Sequence, residues 1–293
     1  MRRIAVIVNP AAGGGRAGRA LAGVEEALGD HGLEYRIAPT GGLAHARELA
    51  REAAAGGEVA VALGGDGLIG AVAGALKGPS GAFGMLPGGR GNDFARVLGI
   101  PLDPRAACRV LAEGVERALD LGEANGKTFI SIASCGFDSD ANRIANETRL
   151  VRGSLVYSYG ALRALISWKP ATFTLRVDGG EPRTLTGYTV AAANAGTYGG
   201  GMRMAPEASL QDGLLDVVMV EHMPKLRLLR LLPSVFTGEH IRRPEVHVLR
   251  GAEIELGADR PFTLYADGDP VAELPVTIRV LPGAIRAITP VDR

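Results

Sequence analysis

Lysine is nearly missing from these 293 residues: four lysines stand beside 28 arginines, and Lys+Arg equals Asp+Glu at 32 each. Without net charge or a polybasic tail, a chain built mainly to coat nucleic acid is excluded. Aromatic residues make up only 5%, too few for a base-stacking platform. Two cysteines, Cys108 and Cys135, occur in unrelated contexts without a CxxC, so a reduced, cytoplasmic setting is expected. The histidines (His31, His45, His222, His240 and His247) show no HxxxH or HExxH spacing, and no zinc site is expected. No apolar run approaches the ~18 residues that cross a bilayer. Residues 4–8, after Met1-Arg2-Arg3, are too short a run for a secretory leader.

Glycine is in excess, 42 of 293 residues, about twice the usual ~7%. Much of it is clustered, as backbone-built binding loops require. Hydrophobic content of 46% and charged content of 22% fit a soluble globule, and the length suits one large domain or two smaller ones. Residues 4–8 are β-branched and end in Asn9-Pro10. From residue 16 to about 28, Leu21, Val24, Ala27 and Leu28 recur on one helical face. Residues 34–38 read as a strand and 43–55 as a helix stopped by Gly56-Gly57. Residues 58–63 are apolar almost throughout, as in a central parallel strand. Gly64-Gly65-Asp66-Gly67 then opens an alanine-rich helix to about residue 76. A fourth strand, 82–86, runs through Pro87-Gly88-Gly89-Arg90-Gly91 into another helix. This βαβ repetition predicts a doubly wound parallel-sheet α/β domain over residues 1–124, with ligands held by the loops after its strands.

The pattern changes after residue 124. Segments 129–133, 172–177, 184–193, 215–220, 245–249, 253–256, 262–265 and 276–280 read as strands separated by turns such as Asp178-Gly179-Gly180 and Asp267-Gly268. They predict a β-rich, largely antiparallel domain over 125–283 with two or three helices. A last strand, at about 284–293, is expected to return to the first sheet.

Three glycine loops carry candidate chemistry. Gly13, Gly15 and Gly18 satisfy GxGxxG and so raise an NAD(P)-dependent oxidoreductase as an alternative. The ribose-binding acid such a site wants is missing from the end of the second strand, which reads Ala38-Pro39-Thr40. A P-loop would need Lys and Ser/Thr where Arg19-Ala20 stand. In Gly64–Gly67 the glycines let N–H groups approach phosphate at a helix start. Asp66 would repel bare phosphate unless a cation intervened; the other reading is a tight turn. The 87–96 segment repeats the plan with Arg90 as a phosphate-competent donor and Asp93 near a helix start, where an aspartate also serves as a cap.

Asn9-Pro10, GGDG at 64–67, PGGRGNDFAR at 87–96, the run Asp212-Gly213-Leu214-Leu215-Asp216 and Asp267-Gly268-Asp269-Pro270 together resemble the diacylglycerol kinase catalytic-domain family, in particular its soluble bacterial lipid kinases. The landmarks run from residue 9 to 270. The resemblance implies an ATP-binding α/β domain, a β-rich lipid-substrate domain and an active site in the cleft between them. It implies transfer of the γ-phosphate of ATP to a lipid hydroxyl, of diacylglycerol or a related lipid, with Mg²⁺. By the same resemblance Asn9, Thr40, Gly64, Gly65, Asp66, Gly67, Leu68, Ile69, Gly70, Gly89, Arg90 and Asn92 hold the nucleotide. Asp66, Asp93 and Asp120 form an acidic network around Mg²⁺, although Asp120 also reads as an ordinary strand-end aspartate. The carbonyls of Ser209 and Leu214 with the carboxylate of Asp212 hold a second, structural Mg²⁺ or Ca²⁺, in competition with a plain Asp-Gly turn. Asp269 is the general base, assisted by Asp267. Two departures stand out: Arg90 replaces the family's Thr, and Asp269 replaces its catalytic Glu, one methylene longer. A non-catalytic nucleotide- or lipid-binding relative is therefore a further alternative.

A lipid substrate requires contact with a bilayer. Residues 226–236 are leucine-rich and interleaved with Lys225, Arg227 and Arg230, with Arg242 and Arg243 close behind. They predict a basic amphipathic element on the inner membrane face; the competing reading packs it on the β domain. Residues 150–168, with the only tryptophan, are a second candidate. The partners expected are ATP and a membrane lipid, not nucleic acid. The oligomeric state is left open, a homodimer included.

Overall fold

The computed structural model describes residues 2–78, 81–137, 163, 165 and 168–291. Its first strand, β1 (Arg3–Val8), is apolar on both faces, and Ile4 through Val8 are all buried. A strand covered on both sides has no reason to alternate. It pairs in parallel with β2 (Glu34–Pro39) on one side and β3 (Val59–Gly64) on the other, and β4 (Ala82–Pro87) follows β3. The order β2-β1-β3-β4 reverses direction between β1 and β3, the switch at which open α/β sheets bind ligands. Of the helices, α1 (Ala12–Asp30) packs on α5 (Pro104–Glu113), and α2 (Leu43–Ala55) on α3 (Asp66–Ala75). Small residues set these distances: α2 buries Ala46, Ala50 and Ala53, which lets it lie close on β1 and β3. Helix α5 starts on Pro104 after Asp103, whose carboxylate accepts the Arg105 N–H at 2.8 Å, an N-cap. The short α4 (Asp93–Val97) follows the second glycine loop.

Beyond α5 the chain enters β5 (Val115–Ala124), a ten-residue strand that the periodicity did not mark. It pairs with the short β6 (Lys127–Phe129) and with the long β15 (Val276–Thr289). The remaining strands are β7 (Ile132–Gly136), β8 (Ala171–Val177), β9 (Arg183–Ala193), β10 (Leu215–Glu221), β11 (Val246–Gly251), β12 (Glu253–Ala258), β13 (Thr263–Ala266) and β14 (Asp269–Glu273). Among the described residues all pairings in this half are antiparallel except that of β15 with β4. A helix, α6 (Lys225–Leu231), and 3-10 turns at Leu232–Val235 and Glu239–Arg242 pack against β11 and its neighbours.

Two expectations are corrected. The single strand at 129–133 is two, β6 and β7, because Ile130 and Ser131 leave the ladder and turn their N–H groups toward Asp267. The strands at 276–280 and 284–288 are one. Gly283 (φ 57°) absorbs a register shift between Leu281 and Ile285, and β5 stays paired on both sides of it. Strand β15 thereby joins the antiparallel half, through β12, to the parallel half, through β4.

Candidate active site

The two glycine loops touch backbone to backbone. Gly88 N–H donates to Gly64 C=O at 2.7 Å, and a Cβ on Gly89 would lie 2.4 Å from the Gly65 Cα. No side chain fits between them, which explains glycine at both positions. Asn92, with φ 53°, closes the second loop on itself: its Oδ1 accepts the Gly89 N–H at 2.9 Å. Helix α3 begins at Asp66 with no side chain capping its first N–H groups. That end is therefore open to an anion.

Carboxylates line the same place. A Cβ on Gly91 would meet Asp66 Oδ2 at 3.0 Å and Asp93 Oδ2 at 3.1 Å, so both acids flank one glycine. Asp66 Oδ1 accepts the Phe94 N–H at 3.2 Å. Burial pushes the Asp66 pKa up, the Phe94 N–H pulls it down, and the Asp93 charge raises it again. Asp93 is buried and spans the cleft, accepting the N–H groups of Gly200 at 2.7 Å and Gly201 at 2.8 Å. Asp120 has backbone partners of its own. Its carboxylate accepts Gly213 N–H at 2.8 Å and Gly283 N–H at 2.7 Å, tying β5 to the 209–214 turn and to the bend of β15. No group of three His, Cys, Asp or Glu placed to hold a metal occurs among the described residues. Two backbone amides from distant segments hold the Asp120 carboxylate.

The β13–β14 hairpin faces α3. Asp267 (φ 49°) and Gly268 (φ 92°) form its two-residue turn, the left-handed geometry that suits Asp-Gly. Asp267 turns inward and accepts three N–H groups, from Ile130 at 2.7 Å, Ser131 at 3.0 Å and Ile132 at 3.2 Å. A Cβ on Gly70 of α3 would lie 3.7 Å from its Oδ2. Burial pushes Asp267 up to about 6, against those three donors and with the Asp66 charge adding to the rise. Asp269, the first residue of β14, is exposed.

The other expected residues are distributed as follows. Thr40 is buried, its hydroxyl donating to Gly42 C=O at 2.8 Å, and Asn9 Oδ1 accepts the Ala11 N–H at 3.1 Å. Leu68 and Ile69 are core side chains, so only their backbone reaches the loop. Arg90 is exposed. In the 209–214 turn Asp212 is exposed and its Oδ1 accepts the Leu214 N–H at 3.1 Å, while Ser209 Oγ accepts the Gln211 N–H at 3.2 Å. The GxGxxG glycines lie at the head of α1, where a Cβ on Gly18 would come within 2.8 Å of Pro10 C=O; Gly18 seats a helix. Both cysteines are buried and in no disulfide, and burial pushes the Cys108 thiol up to about 11, far from nucleophilic.

The basic element lies on α6 and the turns that follow it. Leu226 and Phe236 protrude, 59% and 55% exposed, with Arg230, Arg242 and Arg243 exposed nearby in sequence. Arg227, however, pairs with Glu245 at 2.5 Å on the protein itself. Of the 150–168 segment, most lies outside the described residues; Trp168 is buried among Phe137, Tyr188 and Phe262. No helix among the described residues is long and apolar enough to cross a membrane.

Periodicity and motif reading passed over Asn194, Gly200 and Gly201. Their signals were a lone amide after Ala191-Ala192-Ala193, and the triple glycine 199–201.

Residues 3–124 match the family described as diacylglycerol kinase catalytic domain, and residues 131–289 the YegS C-terminal NAD kinase beta sandwich-like domain. A diacylglycerol kinase of Mycobacterium tuberculosis (strain ATCC 25618 / H37Rv) is 34% identical over 98% of this chain and 95% of its own length. One of Bacillus subtilis (strain 168) is 29% identical over 94% of this chain and 92% of its own. In fold, the chain is similar to a diacylglycerol kinase crystal structure from Bacillus anthracis str. Sterne (TM-score 0.75, 19% identity, 98% of this chain and 96% of that one). An NAD kinase of Archaeoglobus fulgidus in complex with ATP is more distant (TM-score 0.53, 17% identity, 99% of this chain and 94% of that one).

Proposed function

Since the chain belongs to the diacylglycerol kinase family, lipid phosphotransferases with an alcohol group as acceptor, we propose that it transfers the γ-phosphate of ATP to the hydroxyl of diacylglycerol or a related lipid, in the cleft between α3 and the β13–β14 hairpin. The observation that carries this reading is the meeting of two side-chain-free glycine loops at an uncapped helix start, with Asp66 and Asp93 beside them and Asp267 opposite. Little covalent chemistry is asked of the protein in such a transfer; positioning and charge neutralisation dominate.

In this reading the nucleotide phosphates lie along Gly64–Gly67 and Gly89, with Asn9, Thr40, Asn92 and the backbone of Leu68, Ile69 and Gly70 shaping the loops. Exposed Arg90 is free to swing onto a phosphate. The donor set near the loops suits Mg²⁺, which is commonly held by one or two carboxylates together with substrate phosphates; Asp66 and Asp93 are such a pair. When bound, the ion neutralises phosphate charge. Asp269 accepts the proton of the lipid hydroxyl, and Asp267 fixes the hairpin that presents it. For the second cation, at Ser209, Asp212 and Leu214, the support is the all-oxygen set in a turn anchored by Asp120. The protruding Leu226 and Phe236, with Lys225, Arg230, Arg242 and Arg243 around them, form the face that meets an anionic bilayer. The oxidoreductase alternative lacks its ribose-binding acid, since the second strand ends in Ala38-Pro39 and Thr40 follows.

The test is turnover of labelled ATP with a panel of diacylglycerols and related lipids in mixed micelles, with and without Mg²⁺. Mg²⁺-dependent label in one lipid is expected. Tight ATP binding with no labelled lipid from the whole panel would mean a non-catalytic relative.

A further inference from the structure

Asn194 follows β9 directly and is fully buried. Its Nδ2 amide donates to two carbonyls from different parts of the chain, Asp120 at 3.0 Å and Ile130 at 2.9 Å. Its own N–H and that of Ala195 both donate to Ser131 C=O, at 2.8 and 3.0 Å. Ile130 and Ser131 stand between β6 and β7 with no ladder of their own. Their carbonyls go to Asn194 and Ala195, and their N–H groups go to Asp267. The segment is thus held on one side by an amide and on the other by the carboxylate at the hairpin turn. Asp120, the other end of the bridge, grips Gly213 and Gly283 and takes Leu210 C=O on its own N–H at 2.7 Å. Only a side chain with two hydrogens on one nitrogen can bridge two carbonyls in this way; aspartate has no donor, and leucine has neither donor nor acceptor.

We propose that Asn194 is a positioning residue of the phosphotransfer site, which fixes the Asp267–Asp269 hairpin against β5 by holding the Ile130–Ser131 segment whose N–H groups Asp267 accepts. The inference rests on the hairpin's role in the reading above. Losing the amide leaves two buried carbonyls without a donor and lets the 130–132 N–H groups drift. A base displaced by even an ångström loses rate steeply, whereas the nucleotide loops, which Asn194 does not touch, keep their grip. The same drift weakens the three donors that favour charged Asp267. Its pKa, already raised by burial and by the Asp66 charge, then rises further.

The experiment compares Asn194→Ser, which keeps one donor and should fold, and Asn194→Ala with the parent. Tyr188→Phe serves as control: it removes another buried hydrogen bond, to Met223 C=O at 2.7 Å, on the same β9. We expect kcat to fall about tenfold in Asn194→Ser and further in Asn194→Ala, with the KM for ATP within about twofold of the parent. Carboxyl-carbon NMR should show the Asp267 midpoint moved to higher pH in Asn194→Ser. Tyr188→Phe should melt lower but change neither reading. An Asp267 midpoint that stays put in Asn194→Ser overturns the proposal, as does a kcat loss matched by Tyr188→Phe. The NMR reading needs no turnover, so a parent that phosphorylates no lipid would sink the kinase reading and leave this inference to be decided by the midpoint alone.

Discussion

Two neighbouring aspartates in one hairpin have opposite surroundings, and the roles proposed for them follow that difference. Asp269 is exposed at the strand start, where it can come within hydrogen-bond reach of an acceptor hydroxyl. Asp269→Asn should lower kcat by ~10²–10⁴ while ATP affinity stays put, because a lost general base contributes on that scale; single-turnover kinetics check this. Asp269→Glu should also slow the reaction, since the longer side chain overshoots a site shaped around aspartate. A faster Glu variant would show instead that the site has drifted from its relatives. Asp267 has a different signature. From an ordinary value of 3.8 it is pushed up to about 6. As pH rises from about 4 to about 6 the unfolded chain gives up this proton before the folded one does. The group's contribution to stability is therefore complete below that window and lost through it. Asp267→Asn should flatten the dependence of the urea midpoint on pH between 4 and 6. An unchanged slope would mean that other groups set it.

At the scale of elements, the glycine loops are built by exclusion. Gly89→Ala would drive a methyl group into the Gly65 backbone at 2.4 Å, where no flexible side chain can yield. The loops should part, with a stability loss of about 1–3 kcal/mol and a larger loss in ATP affinity, read by calorimetry. Gly67→Ala, with open space around the added carbon, is the matched control and should leave the fold unchanged. The α6 region makes its own prediction. Leu226→Gln with Phe236→Ser should weaken binding to anionic vesicles while a short-chain lipid in detergent is turned over normally. Arg230→Gln should add a salt-sensitive loss, as each cation near an anionic leaflet contributes about 1 kcal/mol. Arg227→Gln should not, because Arg227 is engaged with Glu245. Equal vesicle binding by parent and Leu226/Phe236 variant at low salt would remove this face from consideration.

Across the whole molecule, several connections among the described residues cross between the halves. Strand β15 joins the antiparallel and parallel parts of the sheet, and Asp93 reaches from α4 to Gly200 and Gly201. Shared strand pairing predicts one cooperative thermal transition rather than two, with equal calorimetric and van't Hoff enthalpies. Asp93→Ala should leave that transition single but quicken amide exchange at Gly200 and Gly201 about tenfold, the worth of roughly one net hydrogen bond, with β1 and β3 unaffected. The fold was legible where local pattern and tertiary demand agree. The apolar 59–63 run must be a covered strand, and a helix from Leu43 to Ala55 follows from its alanine face. It was illegible where long-range pairing decides: β5 is a strand because β15 lies along it, and residues 129–133 break because Asp267 takes their amides.

By itself the sequence determined the chemistry on offer: side-chain-free loops after parallel strands, acids inside those loops, and an Asp-Gly hairpin late in the chain. These are local properties, fixed by glycine's missing Cβ and by charge next to phosphate-type turns. Only the tertiary structure decided where each acid sits and what holds it. Asp66 and Asp93 meet across Gly91, whereas Asp120, identical to them as a letter in a motif, is claimed by the amides of Gly213 and Gly283. It also decided that a buried asparagine after an alanine run holds the hairpin in place. Each carboxylate goes where backbone donors from distant segments converge, and that convergence exists only once β15 has joined the two halves of the sheet.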